Sequence, residues 1–185
     1  MEQTAEQPTC EERVSAHRDS RLDDLRRLWA AYQGQAEECE ECEGSGECGC
    51  ANENGCPKCD GTGGCAKCDG TGEIQPSEDG DLEDLGNIHE YGLAFDYVAP
   101  DTFTDQEEPY FRYQISWGGP SEEIRFYASG QEYDWQTHRV EFWFLDWFDG
   151  ASRTLHGDDR KLADELFEWF ASAGSCQAQY DEATA

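Results

Sequence analysis

Tyr110-Phe111-Arg112-Tyr113-Gln114-Ile115-Ser116-Trp117 sets large apolar side chains at every second position, and Gly118-Gly119-Pro120 ends the run. A period of two marks a half-buried strand, because successive side chains point to opposite faces. The pattern recurs on both sides. Tyr91, Leu93, Phe95 and Tyr97 alternate before it, and Ile124, Phe126 and Ala128 share one face after it. Val140, Phe142 and Phe144, continuing into Leu145, Trp147 and Phe148, form a fourth run that is aromatic on both faces, which suits a central strand. Asp149-Gly150 then reads as a turn.

Helical spacing flanks these strands. Val14, Leu22, Leu25, Leu28, Trp29 and Tyr32 predict an amphipathic helix over residues 20–33, stopped at Gly34. Leu162, Leu166, Trp169, Phe170 and Ala173 predict another over 158–172, with Asp158 as candidate N-cap and Gly174 as candidate C-cap. Ser175–Tyr180 reads as a short edge strand, and Leu82 and Leu85 as one helical turn. The expected fold is α+β: a four-stranded antiparallel sheet packed on one face by two helices.

Between helix and sheet lies a stretch of another kind. Cys39-Glu-Glu-Cys42-Glu-Gly44-Ser-Gly46, Cys56-Pro-Lys-Cys59-Asp-Gly61-Thr-Gly63 and Cys65-Ala-Lys-Cys68-Asp-Gly70-Thr-Gly72 each fit CxxCxGxG. A shortened unit, Cys48-Gly-Cys50, sits between the first two, followed by Ala51-Asn52-Glu53-Asn54-Gly55. Two thiolates separated by two residues reach one metal from a tight turn. Zinc takes four such ligands at about 2.3 Å, so two turns must meet. The glycines allow the left-handed backbone that turns the chain back around the sulfur. Eight of the ten cysteines are thereby assigned to metal; Cys10 and Cys176 are isolated and read as thiols without a role.

This stretch, residues 39–72, resembles the cysteine-rich domain of DnaJ-type chaperones. The resemblance implies two zinc ions. Cys39, Cys42, Cys65 and Cys68 would hold one, and Cys48, Cys50, Cys56 and Cys59 the other. The repeats are more compressed than in that family, and the second pair is CxC. The chaperone's His-Pro-Asp motif is absent, since His17-Arg18-Asp19 lacks the proline. The stretches Tyr110–Tyr127 and Val140–Arg153 resemble small uncharacterised proteins of bacterial phages and plasmids. The domain organisation expected is an N-terminal segment 1–38 with its helix, the zinc module 39–72, an acidic linker 73–90, and an α+β domain 91–185 packing with the N-terminal helix.

The formal net charge of −29 bears on function. Residues 36–90 hold sixteen acids against two bases, and residues 91–185 nineteen against six. Such a field repels nucleic-acid phosphates and favours a basic protein surface as partner. Direct nucleic-acid binding and membrane association are therefore not expected. Trp143, Trp147 and Trp169, which could stack bases, are assigned to core packing. No apolar run approaches membrane-spanning length, and Met1–Glu12 is acidic and polar, unlike a signal peptide, so a cytoplasmic location is expected.

Catalytic patterns are missing. His17, His89, His138 and His156 stand apart from cysteine and carboxylate in ligand spacing, and no nucleophile elbow or phosphate loop occurs. Asp146 and Asp149 flank Trp147-Phe148 and read as strand-end and turn residues rather than paired catalytic carboxylates. A four-thiolate zinc site leaves no position for water. The expectation is a non-enzymatic, zinc-stabilised acidic protein that binds protein. In its sharpest form it is a nucleic-acid mimic acting on a DNA-handling or defence complex, of the antirestriction or anti-CRISPR type. Two alternatives fit the same residues: a DnaJ-like chaperone or assembly factor, and a halophile protein whose acidity is salt adaptation.

Overall fold

The computed structural model describes residues 8–49 and 63–185. Within them the chain divides into two compact units, one formed by residues up to Asp23 together with Glu90–Ala185, the other by Asp24–His89. Among the described residues the architecture is α+β, with a five-stranded antiparallel sheet, a two-stranded sheet and four helices.

Helix α1, Cys10–Tyr32, begins ten residues before the expected start. Thr9 and Glu12 form a capping box that fixes this start. The Thr9 N–H donates to Glu12 Oε2 at 2.9 Å, and the Glu12 N–H donates to Thr9 Oγ1 at 3.3 Å. The Cys10 N–H, another orphan donor of the first turn, is satisfied by Asp149 Oδ2 at 2.7 Å. At the other end Gly34, at φ 74°, returns its N–H to Ala31 O and stops the helix.

In the first unit, strands β3 (Ala94–Val98), β4 (Tyr110–Ser116), β5 (Ser121–Gln131), β6 (Asp134–Asp146) and β7 (Asp149–Thr154) form a sequential meander. The sheet thus has five strands where four were expected. The aromatic run ending at Phe148 is interrupted: β6 stops at Asp146, and Trp147 and Phe148 form the exposed turn into β7. The polar stretch Asp149-Gly-Ala-Ser-Arg-Thr154 is a strand because β6 offers it a complete ladder, from Asp146↔Asp149 to Glu141↔Thr154. Tyr91 belongs to the short helix α2, Ile88–Tyr91, and Leu93 is exposed, so the first strand starts later than the alternation suggested.

Register sorts the side chains into two faces. Phe95, Tyr113, Ile124 and Phe142 form one cross-strand row, and Tyr97, Phe111, Phe126 and Val140 the next. This face carries the helices. Helix α3, Gly157–Ser172, inserts Phe167 between Phe111 and Phe126, with ring centroids 5.6 and 5.1 Å away. Phe170 of α3 stacks on Phe95 at 4.0 Å. The first turns of α1 bring Arg13 over the Phe144 ring and His17 beside it. Helix α4, Ser175–Thr184, stands where an edge strand was expected. Gly174 takes the left-handed turn at φ 78° that ends α3 and starts α4, and Tyr180 then packs on Tyr97 and Trp135. Asp158 is not the cap of α3. The helix begins at Gly157 after an extended His156, so Asp158 and Asp159 lie in the first turn, where they complement the helix dipole.

In the second unit, β1 (Glu37–Glu38) pairs with β2 (Glu73–Ile74) and closes the two ends of the cysteine stretch. Leu82 and Gly86 form an isolated β-bridge in place of a helical turn around Leu82 and Leu85. No described helix is long and apolar enough to cross a membrane.

Candidate metal centre

The β1–β2 pair brings Cys39-x-x-Cys42 and Cys65-x-x-Cys68 face to face. The two turns are built alike, residue for residue. Gly44 and Gly70 return their N–H to the carbonyls of Cys39 and Cys65 at 3.2 and 2.9 Å. Ser45 and Thr71 each donate a backbone N–H and a hydroxyl to the carbonyls of Cys42 and Cys68. The turns then bind each other. The Cys39 N–H donates to Gly72 O at 2.9 Å, and the Cys65 N–H to Gly46 O at 2.8 Å.

The repeated glycines have two separate reasons. Gly44, Gly46, Gly70 and Gly72 all have φ between 70° and 83°. Gly46 and Gly72 are needed for space as well. A Cβ on Gly46 would lie 2.3 Å from Gly70 O, and one on Gly72 would lie 2.2 Å from Gly44 O. The last glycine of each motif is thus where the backbone of the other turn passes. Glu43 and Asp69, at φ 50° and 51°, take left-handed geometry without being glycine, completing the duplicated path.

The four sulfurs fit a tetrahedral thiolate site. Ligands at about 2.3 Å from a central zinc stand about 3.8 Å apart. Cys39 Sγ and Cys65 Sγ are 3.8 Å apart, Cys42 Sγ and Cys68 Sγ 3.7 Å, and all four lie within 4.8 Å of one another. All four cysteines are buried. Burial pushes the Cys39 thiol up. Burial also acts upward on Cys68, but the Gly72 N–H 3.3 Å from its sulfur and the neighbouring thiols bring it down to about 7. A thiol already partly ionised near neutral pH suits a metal ligand. A metal here would tie two turns together through a closed sphere and leave no open coordination position.

Of the other four predicted ligands, only Cys48 lies among the described residues. It is outside this tetrad and half-buried; its N–H donates to Gly63 O at 2.8 Å and Glu47 bridges Gly64. Cys50, Cys56 and Cys59, and with them the second zinc site, lie outside the described residues. Among the described residues one cysteine tetrad could hold a metal ion, where two zinc sites were expected.

Several of the remaining candidates have partners within the fold. Asp149 caps α1, and Asp146 Oδ2 accepts from Arg13 at 2.6 Å. His17, unremarkable by spacing, lies 2.7 Å from the buried carboxylate of Glu122, which Arg21 also holds. His138 pairs with Glu108. Cys10 and Cys176 are buried packing residues. Trp147 is not a core residue: it is 88% exposed. The Glu122 cluster was hidden in the sequence because its members come from α1 and from β5. Comparison with protein-family models, curated proteins and solved structures gives no match.

Proposed function

We propose that this chain is a non-enzymatic, zinc-stabilised, strongly acidic protein that docks on a basic protein surface, in the manner of a nucleic-acid mimic occupying the DNA site of a host complex. The observation that carries the reading is the disposition of its charge. The formal net charge is −29, and eleven described basic side chains are already held by acids of the same chain. Arg13, Arg18, Arg21, Arg27, Arg112, Arg125, Arg139, Arg153 and Arg160, with Lys67 and Lys161, all sit in ion pairs. Most of the positive charge is consumed internally, and the acids in excess face solvent with little to offset them. A basic groove evolved for phosphates would meet such a surface favourably.

Competition tests this. The protein should displace duplex DNA from a host DNA-binding complex at low salt and lose that ability as salt rises, because screening shortens to about 8 Å near 0.15 M. Failure against every host DNA-binding complex refutes mimicry. If acidity is salt adaptation instead, stability rises steeply between dilute buffer and molar salt.

A second reading is a DnaJ-like chaperone or assembly factor. It is favoured by the composition of the tetrad, which joins the first and last cysteine pairs of the stretch as the family resemblance implies. Suppression of aggregation of a model client by the zinc-loaded protein supports it, and no suppression refutes it.

A further inference from the structure

The helix-free face of the main sheet carries chemistry that neither the metal centre nor the charge argument uses. Its central row is Asp96↔Arg112↔Arg125↔Glu141. A cavity of about 370 Å³ opens on this face. Its floor includes Tyr110, Arg112, Glu123 and Arg125, and its lips are Phe103 and Trp117, which are 51% and 75% exposed. That volume is in the range of small-molecule sites and too small for a folded partner.

The floor keeps unsatisfied hydrogen-bonding groups of both kinds. Arg125 gives Nε to Glu123 Oε1 at 2.6 Å, and its guanidinium is stacked 3.8 Å from the Trp143 ring centroid and 4.6 Å from that of Tyr110. Its two terminal nitrogens make no hydrogen bond among the described residues. Arg112 gives Nε and Nη2 to Asp96, while its Nη1 stands 3.9 Å from Glu123 Oε2, beyond hydrogen bonding. The Tyr110 hydroxyl is buried without a partner. Fixed guanidinium donors thus lie beside a carboxylate acceptor, held rigid by stacking and strand pairing.

Charge decides what fits. Arg112 is balanced by Asp96 and Arg125 by Glu123, so the cavity is close to neutral within a chain of net charge −29. An anion gains nothing from it. A flat, uncharged heterocycle with an acceptor and a donor on one edge satisfies both groups, and aromatic lips cover its faces. These are the means by which a single nucleobase is read: hydrogen bonds to its edge and stacking on its plane. We propose that this cavity binds a free nucleobase or nucleoside, its carbonyl accepting from Arg125 and its ring N–H donating to Glu123, with Trp117 and Phe103 stacked against it. This site is independent of the docking surface proposed above.

The test is a titration of the zinc-loaded, isotope-labelled full chain, followed by NMR, with guanosine, unsubstituted purine riboside, guanosine 5′-triphosphate and a short single-stranded oligonucleotide. Guanosine should bind saturably and shift the Trp117 indole and Arg125 Nε–H signals. Purine riboside, which has the ring but not the donor edge, should bind about tenfold more weakly or worse. The triphosphate and the oligonucleotide should bind more weakly than the nucleoside, because the chain's field opposes their phosphates. Trp117→Ala, at an exposed position that leaves the fold intact, should weaken guanosine by about fivefold or more. The proposal is overturned by any of four results: no saturable guanosine binding, equal binding of purine riboside, tighter binding of a phosphate-bearing probe, or an unchanged Trp117→Ala.

Discussion

Gly72→Ala should damage the metal centre far more than Gly44→Ala, although both replace a glycine of the same motif. Both residues have positive φ, 83° and 71°. For a non-glycine residue that conformation costs about 1–2 kcal/mol. At Gly44 little is added. The new Cβ would meet only the end of the Glu38 side chain, 3.0 Å from Cγ, and that side chain can swing away. At Gly72 the new Cβ would lie 2.2 Å from Gly44 O, a backbone atom of the opposing turn. The two turns must then separate, and Gly72 O is drawn away from the Cys39 N–H that it accepts. Overpacking of this kind adds about 1–3 kcal/mol. Because the metal is bound only when the turns meet, the penalty falls on metal affinity. At 1.4 kcal/mol per factor of ten, Gly44→Ala should weaken zinc by about tenfold and Gly72→Ala by about a hundredfold or more. Chelator competition measures both, in a background where Cys48, Cys50, Cys56 and Cys59 are serine so that one tetrad remains. Equal weakening by the two substitutions would refute the close-approach argument.

Two further outcomes follow from the sheet unit. Glu122 is buried, and burial alone would raise its carboxyl, but Arg21, His17 and Ser116 outweigh that and hold it below the usual 4.5. A lowered folded value means stability that is present above about pH 4.5 and lost as pH falls through the folded value. Urea midpoints should therefore drop steeply on acidification, and Glu122→Gln should flatten that drop. Arg21→Met, which leaves the carboxylate buried without its guanidinium, should cost about 3–5 kcal/mol at pH 7 in the same assay. Phe167→Ala empties the space between Phe111 and Phe126 and should cost about 3–5 kcal/mol. Phe148→Ala, at a fully exposed turn, should change stability by less than about 0.5 kcal/mol.

The sequence disclosed what repeats locally and hid what depends on distant pairing. Alternation at Phe111, Tyr113 and Ile115 placed β4, and helical spacing at Leu162, Leu166 and Phe170 placed α3, because each signal lies within one element. The fifth strand was not legible: Asp149–Thr154 is polar and glycine-containing, and only the ladder to β6 makes it a strand. Trp147 and Phe148 misled for the converse reason, as aromatic residues that the fold leaves outside. The long start of α1 was legible and was missed, since Thr9 and Glu12 spell a capping box. In the candidate metal centre, residue types and spacing announced Cys39, Cys42, Cys65 and Cys68, the four that cluster. The crossing that makes Gly46 and Gly72 indispensable could be seen only once two turns faced each other. The Glu122 cluster has no spacing signal at all, since Arg21 and Glu122 stand 101 residues apart.

Around the cysteines a metal held by the tetrad would take the place of a core. Among the described residues of 39–74 the buried apolar cluster consists of Cys39, Cys42, Cys65 and Cys68, with Ile74 packed against it. A segment of this size buries too little apolar surface to fold by itself, and a structural metal is the usual remedy. The hydrogen bonds that join the turns, Cys39 N–H to Gly72 O and Cys65 N–H to Gly46 O, should then exist only while the sulfurs are held together. Chelation should accelerate hydrogen exchange at both amides by orders of magnitude. The central ladder of β5 and β6, with Ile124, Phe126 and Phe142 fully buried, supplies an internal reference of sheet amides stabilised by apolar packing. If the Cys39 and Cys65 amides stay protected in metal-free protein, the turns associate through their own backbone bonds. The tetrad would then be a consequence of that association and not its cause.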